Sequence, residues 1–160
     1  MTDPSRTRNV RVDGVSYPRN GLEEETLEAT HRAFPLSHLI ILDASGRLDL
    51  AASRNALKDL ASDPEFDSRT EVLLDLRDVD CEMSTVDIYD LAAYMAWPNP
   101  ALPTQKKIAI LVAGRVEFDH AKFLEMCIRN RGPRVAAFLD YDQADDWLNA
   151  ELPEDPKTDN

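Results

Sequence analysis

Ser84 stands three residues before Asp87, in Ser84-Thr85-Val86-Asp87. That spacing points to a helix cap, and the physics of a helix start also permits a phosphate there. A serine and an acid three apart can close a helix N-terminus on each other, the serine accepting from the third backbone N–H and the acid reaching back. A hydroxyl at the same place can instead accept a phosphate, which gains from the helix dipole. Here that phosphate would meet Asp80, Glu82 and Asp87, a like-charge crowd that favours remodelling or release of a partner. Both readings stand at the level of sequence.

Other reactive residue types do not assemble. Asp75 lies inside an apolar run, so its carboxylate needs donors, from Arg77 or Arg47, before it could act as a catalytic acid. Asp119 and His120 are adjacent, and neighbours on a helix diverge by about 100°, so they are no pre-built dyad. Cys81 sits between Asp80 and Glu82, whose charge raises a thiol pKa and weakens the nucleophile. His31 and His38 belong to different elements, no His/Cys/Asp spacing suits zinc, and no glycine-rich phosphate loop occurs. We expect no metal, no cofactor and no catalytic set.

The elements that must position these residues follow from hydrophobic patterning. Leu39–Leu42, Val72–Leu76, Ile108–Ala113 and Val135–Leu139 are short, nearly uniform apolar runs, each feeding an amphipathic segment. They are too short to span a membrane and too apolar for strands with one wet face, which predicts a mostly parallel sheet with helices on both sides. Strands are expected at 38–44, 71–76, 107–113 and 134–139, and helices from Asp49, from Ser84, over about 117–131, and from an N-cap at Asp142. Ser45-Gly46 is read as a turn and residues 77–83 as a loop. Toward the N-terminus, Val10, Val12 and Val15 suggest an edge strand. Leu22–Phe34, with Glu23, Glu24, Glu25 and Glu28 near its start, reads as a helix. The organisation is then an extension (1–35), one α/β domain (36–150) of four or five strands, and an acidic solvated tail (151–160).

Composition narrows the function further. The 160 residues carry 30 acids against 18 bases, a formal charge of −12, and no basic cluster beyond Lys106-Lys107. Phosphate neutralisation is therefore not on offer, which excludes nucleic acid and disfavours an anionic membrane surface. No run approaches the ~20 apolar residues of a membrane span, and Met1–Asn9 lacks a signal peptide's apolar stretch. Two cysteines make no disulfide framework, and a reducing cytoplasm is expected.

Residues 39–148 also resemble a known family, the SpoIIAA-like proteins, which share the STAS fold with anti-sigma-factor antagonists. The resemblance rests on Ala44-Ser45-Gly46-Arg47-Leu48, Ala61-Ser62-Asp63-Pro64-Glu65-Phe66, and Val72-Leu73-Leu74-Asp75-Leu76-Arg77-Asp78-Val79. It continues in Ile108-Ala109-Ile110-Leu111-Val112, Ala137-Phe138-Leu139-Asp140, Ala144 and Trp147-Leu148. It implies a small helix-covered sheet, no cofactor, and binding in place of catalysis. In the antagonists a phosphorylated serine opens the helix after the Leu-x-Leu strand. Ser84 matches that position and Thr85 the second hydroxyl, while Met83 and Val86 replace the motif's Asp and Gly.

The leading expectation is thus a non-enzymatic regulatory module of this type, binding a protein partner or a second copy of itself. Its surface would be residues 77–83 with the start of the Ser84 helix, through Asp80, Glu82, Ser84, Thr85, Asp87 and Trp97. The alternative is a carrier of a small apolar or lipid-like ligand, in a groove of Met95, Trp97, Phe123 and Cys127.

Overall fold

The computed structural model describes residues 6–11, 26–64, 66–67, 70–96 and 106–150. Among these, six strands form one sheet whose order is the order of the chain. Strands β1 (Arg6–Arg11), β2 (Glu28–Phe34) and β3 (Leu39–Leu48) pair antiparallel. Strands β4 (Glu71–Cys81), β5 (Lys107–Leu111) and β6 (Arg134–Phe138) then add in parallel to β3, one beside the next. Four helices connect or follow them: α1 (Leu50–Ala61), α2 (Thr85–Met95), α3 (Arg115–Ile128) and α4 (Tyr141–Asn149). The mostly parallel α/β architecture is the one the apolar runs predict.

Monotone strand order with right-handed crossovers puts successive helices on one face. Accordingly Leu57 and Leu60 of α1, Ile88 and Leu91 of α2, and Leu124 and Ile128 of α3 share a core with Ile40, Val72, Ile108 and Val135. Among the described helices α4 alone lies on the other face, where Ala144 and Leu148 meet Ile41, Leu73, Ala109 and Leu111. The alternation of core membership along each strand is the pleat itself.

The helix expected at 22–34 is overturned over its described part, since Glu28–Phe34 is β2. Its inward residues are Ala29, His31 and Ala33, all buried, while Glu28, Thr30, Arg32 and Phe34 lie on the opposite face. The inward side is small or polar, so the two-residue alternation carries little hydrophobic contrast, and the acidic run imitates a helix start. β1 supplies an edge strand near Val10; Val12 and Val15 lie outside the described residues, as do Glu23–Glu25 and the tail at 151–160.

Two further expectations change. Ser45-Gly46 is no chain reversal: β3 runs through it to Leu48, with a register shift against β4 between Asp43 and Ser45. Gly46 sits there at φ +98°, and the carbonyl of Thr26 occupies the space a Cβ would need. Both conditions call for glycine. Likewise residues 77–81 are strand, because the extended β3 continues to pair with them, Gly46 with Val79 and Leu48 with Cys81. The N-cap of α4 is Asp140, not Asp142, its carboxylate accepting from the Gln143 N–H at 3.2 Å.

Buried polar residues tie the layers together. His31 Nδ1 lies 3.4 Å from Asp63 Oδ2, both side chains almost fully buried, joining β2 to the turn that ends α1. Lys106 and Lys107 are each only 3 % exposed. Lys106 Nζ donates to the carbonyl of Asp67 at 2.7 Å and to that of Thr70 at 2.5 Å. Lys107 reaches the C-terminal carbonyls of α4.

Candidate functional site

The parallel strands β4, β5 and β6 all end at one edge of the sheet, and the first turns of α2, α3 and α4 follow there. In sheets of this kind that edge is the usual working surface. Because the order of the described strands never reverses, β3 to β6 contain no topological switch point.

Ser84 is the N-cap of α2. Its Oγ accepts from the Asp87 N–H at 3.1 Å, and Asp87 Oδ2 accepts from the Ser84 N–H at 3.1 Å. This is the reciprocal cap that the spacing predicts. Ser84, Thr85, Asp80 and Glu82 are exposed, and Asp87 is half-buried. Glu82 is held by Arg47, Nη2 to Oε2 at 2.8 Å, so the segment after β4 is pinned to β3. Met83 turns inward instead and packs against both core clusters beneath α1–α3. Val86 and Tyr89, one turn apart on α2, are 67 % and 54 % exposed. Val116 near the start of α3, Leu139 after β6 and Tyr141 at the start of α4 are also exposed. Residue spacing pointed to the acids and hydroxyls of this edge but not to its apolar members. Val86 and Tyr89 occupy helical positions that pattern alone cannot tell from core ones.

Asp75 points to the α4 side of the sheet and is gripped by Arg77, Nε to Oδ1 at 2.9 Å and Nη2 to Oδ2 at 2.8 Å. Burial pushes its carboxyl up, but the hydrogen bonds and charge of Arg77 outweigh that and hold it below the ordinary aspartate value. Its carboxylate is therefore held ionised and is a weaker base than an ordinary aspartate. Its cross-strand neighbour Asp43 accepts from Arg32 Nε at 2.9 Å, so two adjacent acids are flanked by an arginine on either side.

Burial, reinforced by Glu117, Asp80 and Asp87, raises the Cys81 thiol above its usual value and keeps it protonated at neutral pH. Asp119 pairs with Arg115 at 3.5 Å, one helical turn away, and not with His120. Among the described residues no three His, Cys, Asp or Glu side chains converge as a metal site.

Of the expected ligand groove, Met95 is buried in the core, and Phe123 and Cys127 are partly buried and pack against it. Trp97, which was expected both in the groove and on the partner surface, lies outside the described residues. A cavity that includes Met95 lies between α1–α3 and the C-terminal halves of β3–β5. Its volume is about 100 Å³, and its walls include Leu48, Leu76, Met83, Met95 and Leu124. Cys81, Glu117 and His120 also line it.

No protein-family profile and no curated protein matches this chain. Among solved structures it is similar to an uncharacterised protein of the DUF3478 family, with a SpoIIAA-like fold, from Shewanella loihica PV-4. The match spans 92% of this chain and 98% of that one at 14% identity, with a TM-score of 0.45.

Proposed function

We propose that this chain is a non-catalytic protein-binding module, working without a cofactor. Its contact surface is the C-terminal edge of the parallel strands around Asp80, Glu82, Ser84, Thr85 and Asp87. One observation carries the reading: Val86 and Tyr89 stand in solvent directly beside these acids and hydroxyls. Large apolar side chains within a polar, charged rim are the anatomy of a protein interface, since their burial drives association while the rim selects the partner. Acids on the rim favour a partner with a basic border, and the overall charge of −12 works the same way at long range. A second copy of this chain, equally acidic, is the weaker fit. A reducing, cytoplasmic setting suits the unpaired thiols.

Ser84 is where such a surface would be regulated. Its hydroxyl is exposed and already serves the cap, so a phosphate there would meet Asp87 across the capping box and Asp80 and Glu82 beside it. The test is affinity capture with full-length protein, comparing wild type with Val86→Arg and Tyr89→Ala. Both replace exposed residues and should leave the fold intact. We expect proteins captured by wild type to be lost from both variants. An unchanged set of captured proteins would sink the proposal.

A further inference from the structure

The exposed apolar side chains of this chain are not scattered. Of the eight large ones among the described residues, Leu36, Tyr94 and Met126 lie elsewhere, and the other five share the edge described above. Val86 follows β4, Val116 follows β5, and Leu139 with Tyr141 follows β6, so they succeed one another in the order of the parallel strands. Tyr89 extends the first of them along α2. Neighbouring packed helices lie about 8–10 Å apart. The line from α2 over α3 to the start of α4 is thus on the order of 20 Å, the length of about 14 residues of helix.

The charge of this edge runs against its geometry. Helix N-termini attract anions, and three of them meet here. Each is already answered from within. Asp87 closes the cap of α2 and Asp140 the cap of α4. At α3 the Glu117 carboxylate lies where a side chain on Gly114 would begin. Two nearby bases, Arg47 and Arg115, are tied to Glu82 and Asp119. Asp80 and Asp142 keep no basic partner among the described residues. The edge therefore stays negative and selects a partner that carries cations.

We propose that the edge receives one amphipathic helix of a partner protein, laid across the starts of α2, α3 and α4, with lysine or arginine along its flanks. This rests on the contact surface proposed above and adds its occupant and its footprint. An extended partner would gain its affinity from main-chain bonds to the free flank of a strand. This end of the sheet offers strand tips and no flank, so side-chain anchors must hold the partner. A helix supplies such anchors in a row, one per turn, on the side that meets Val86, Val116 and Leu139. Its basic flanks then meet the unpaired acids on either side of that row.

The experiment titrates the full-length protein with three synthetic peptides and follows its methyl resonances. The first repeats Leu-Lys-Lys-Leu-Leu-Lys-Leu twice, the second has glutamate for lysine, and the third is seven Leu-Lys repeats, which favour a strand. We expect the first to bind with a Kd below about 100 μM at low salt, shifting the Val86, Val116 and Leu139 methyls together. The strand-period peptide should bind at least about 10-fold more weakly, and the glutamate peptide not at all. Val116→Ser and Leu139→Ser replace exposed residues, and each should weaken the first peptide about 5-fold or more, as Val86→Ser does. No saturable binding of the first peptide, or equal binding of either other one, overturns the proposal. If only Val86→Ser weakens binding, the helix across three starts is wrong while the contact surface stands. The surface itself falls separately, if capture by wild type survives Val86→Arg and Tyr89→Ala.

Discussion

Lys107 Nζ donates to the backbone oxygen of Trp147 at 2.9 Å, from the start of a central strand into the final turn of α4. It also reaches the carbonyls of Leu148, at 3.5 Å, and Ala150. The last turn of α4 carries no basic residue of its own, so this lysine serves both its unpaired carbonyls and the negative end of its dipole. Its ammonium lies over the Trp147 ring as well, 5.4 Å from the centroid.

Lys107→Met should therefore loosen α4 specifically. It keeps the stem and removes the donor, leaving buried carbonyls unmet. The expected loss is about 1–3 kcal/mol in urea unfolding. Amide exchange should accelerate in α4 before it does in β4 or β5. Uniform acceleration across the sheet would contradict the local role.

The Asp75–Arg77 pair predicts an acid limb. Its carboxyl is lowered in the folded protein. Its contribution is therefore complete above the unfolded aspartate value and fades as pH falls through the folded one. Arg77 is about half exposed, so solvent screening keeps the pair near or below about 1 kcal/mol. The stability gap between wild type and Asp75→Asn should be constant from about pH 5 to 7 and shrink below about pH 4. A gap independent of pH would mean that Asp75 acts by shape alone.

His31 and Asp63 should behave as partners. Asp63→Ala leaves a buried imidazole facing an empty site and should cost about 1–3 kcal/mol, whereas adding His31→Leu should recover part of that loss. The readout is a double-mutant cycle in denaturant. Additive losses would show that the 3.4 Å approach carries no coupling.

At Ser84 the cap itself has a measurable worth. Ser84→Ala should cost about 1 kcal/mol, while Ser84→Asp, whose carboxylate caps equally well, should stay within a few tenths of wild type. Thermal unfolding checks both. Any difference in partner capture between wild type and Ser84→Asp is then an effect of charge and not of a frayed helix.

Much of this arrangement is written in residue order. Val72–Leu76 and Ile108–Ala113 announce buried strands because both their faces are covered, by α1–α3 on one side and α4 on the other. Ser84 and Asp87 announce a cap because capping is local chemistry. Strand β2 escapes notice because its alternation is hidden behind Ala29, His31 and Ala33. The far half of β4 escapes because Asp78 and Asp80 belong to its exposed face, and its pairing with β3 resumes only beyond the register shift between Asp43 and Ser45. The cavity is illegible for a different reason. Its walls come from six elements, and most wall residues taken singly are ordinary core residues.

Strand order equal to chain order has a consequence for synthesis. Each new strand leaving the ribosome finds its neighbour already in place, one helix upstream, and never has to be inserted between two others. Short loops close first and cheaply, so the sheet can grow by accretion at one border. A nascent chain stalled after β5 would already hold every pairing except the last, which makes the C-terminal strand and helix the final pieces to lock.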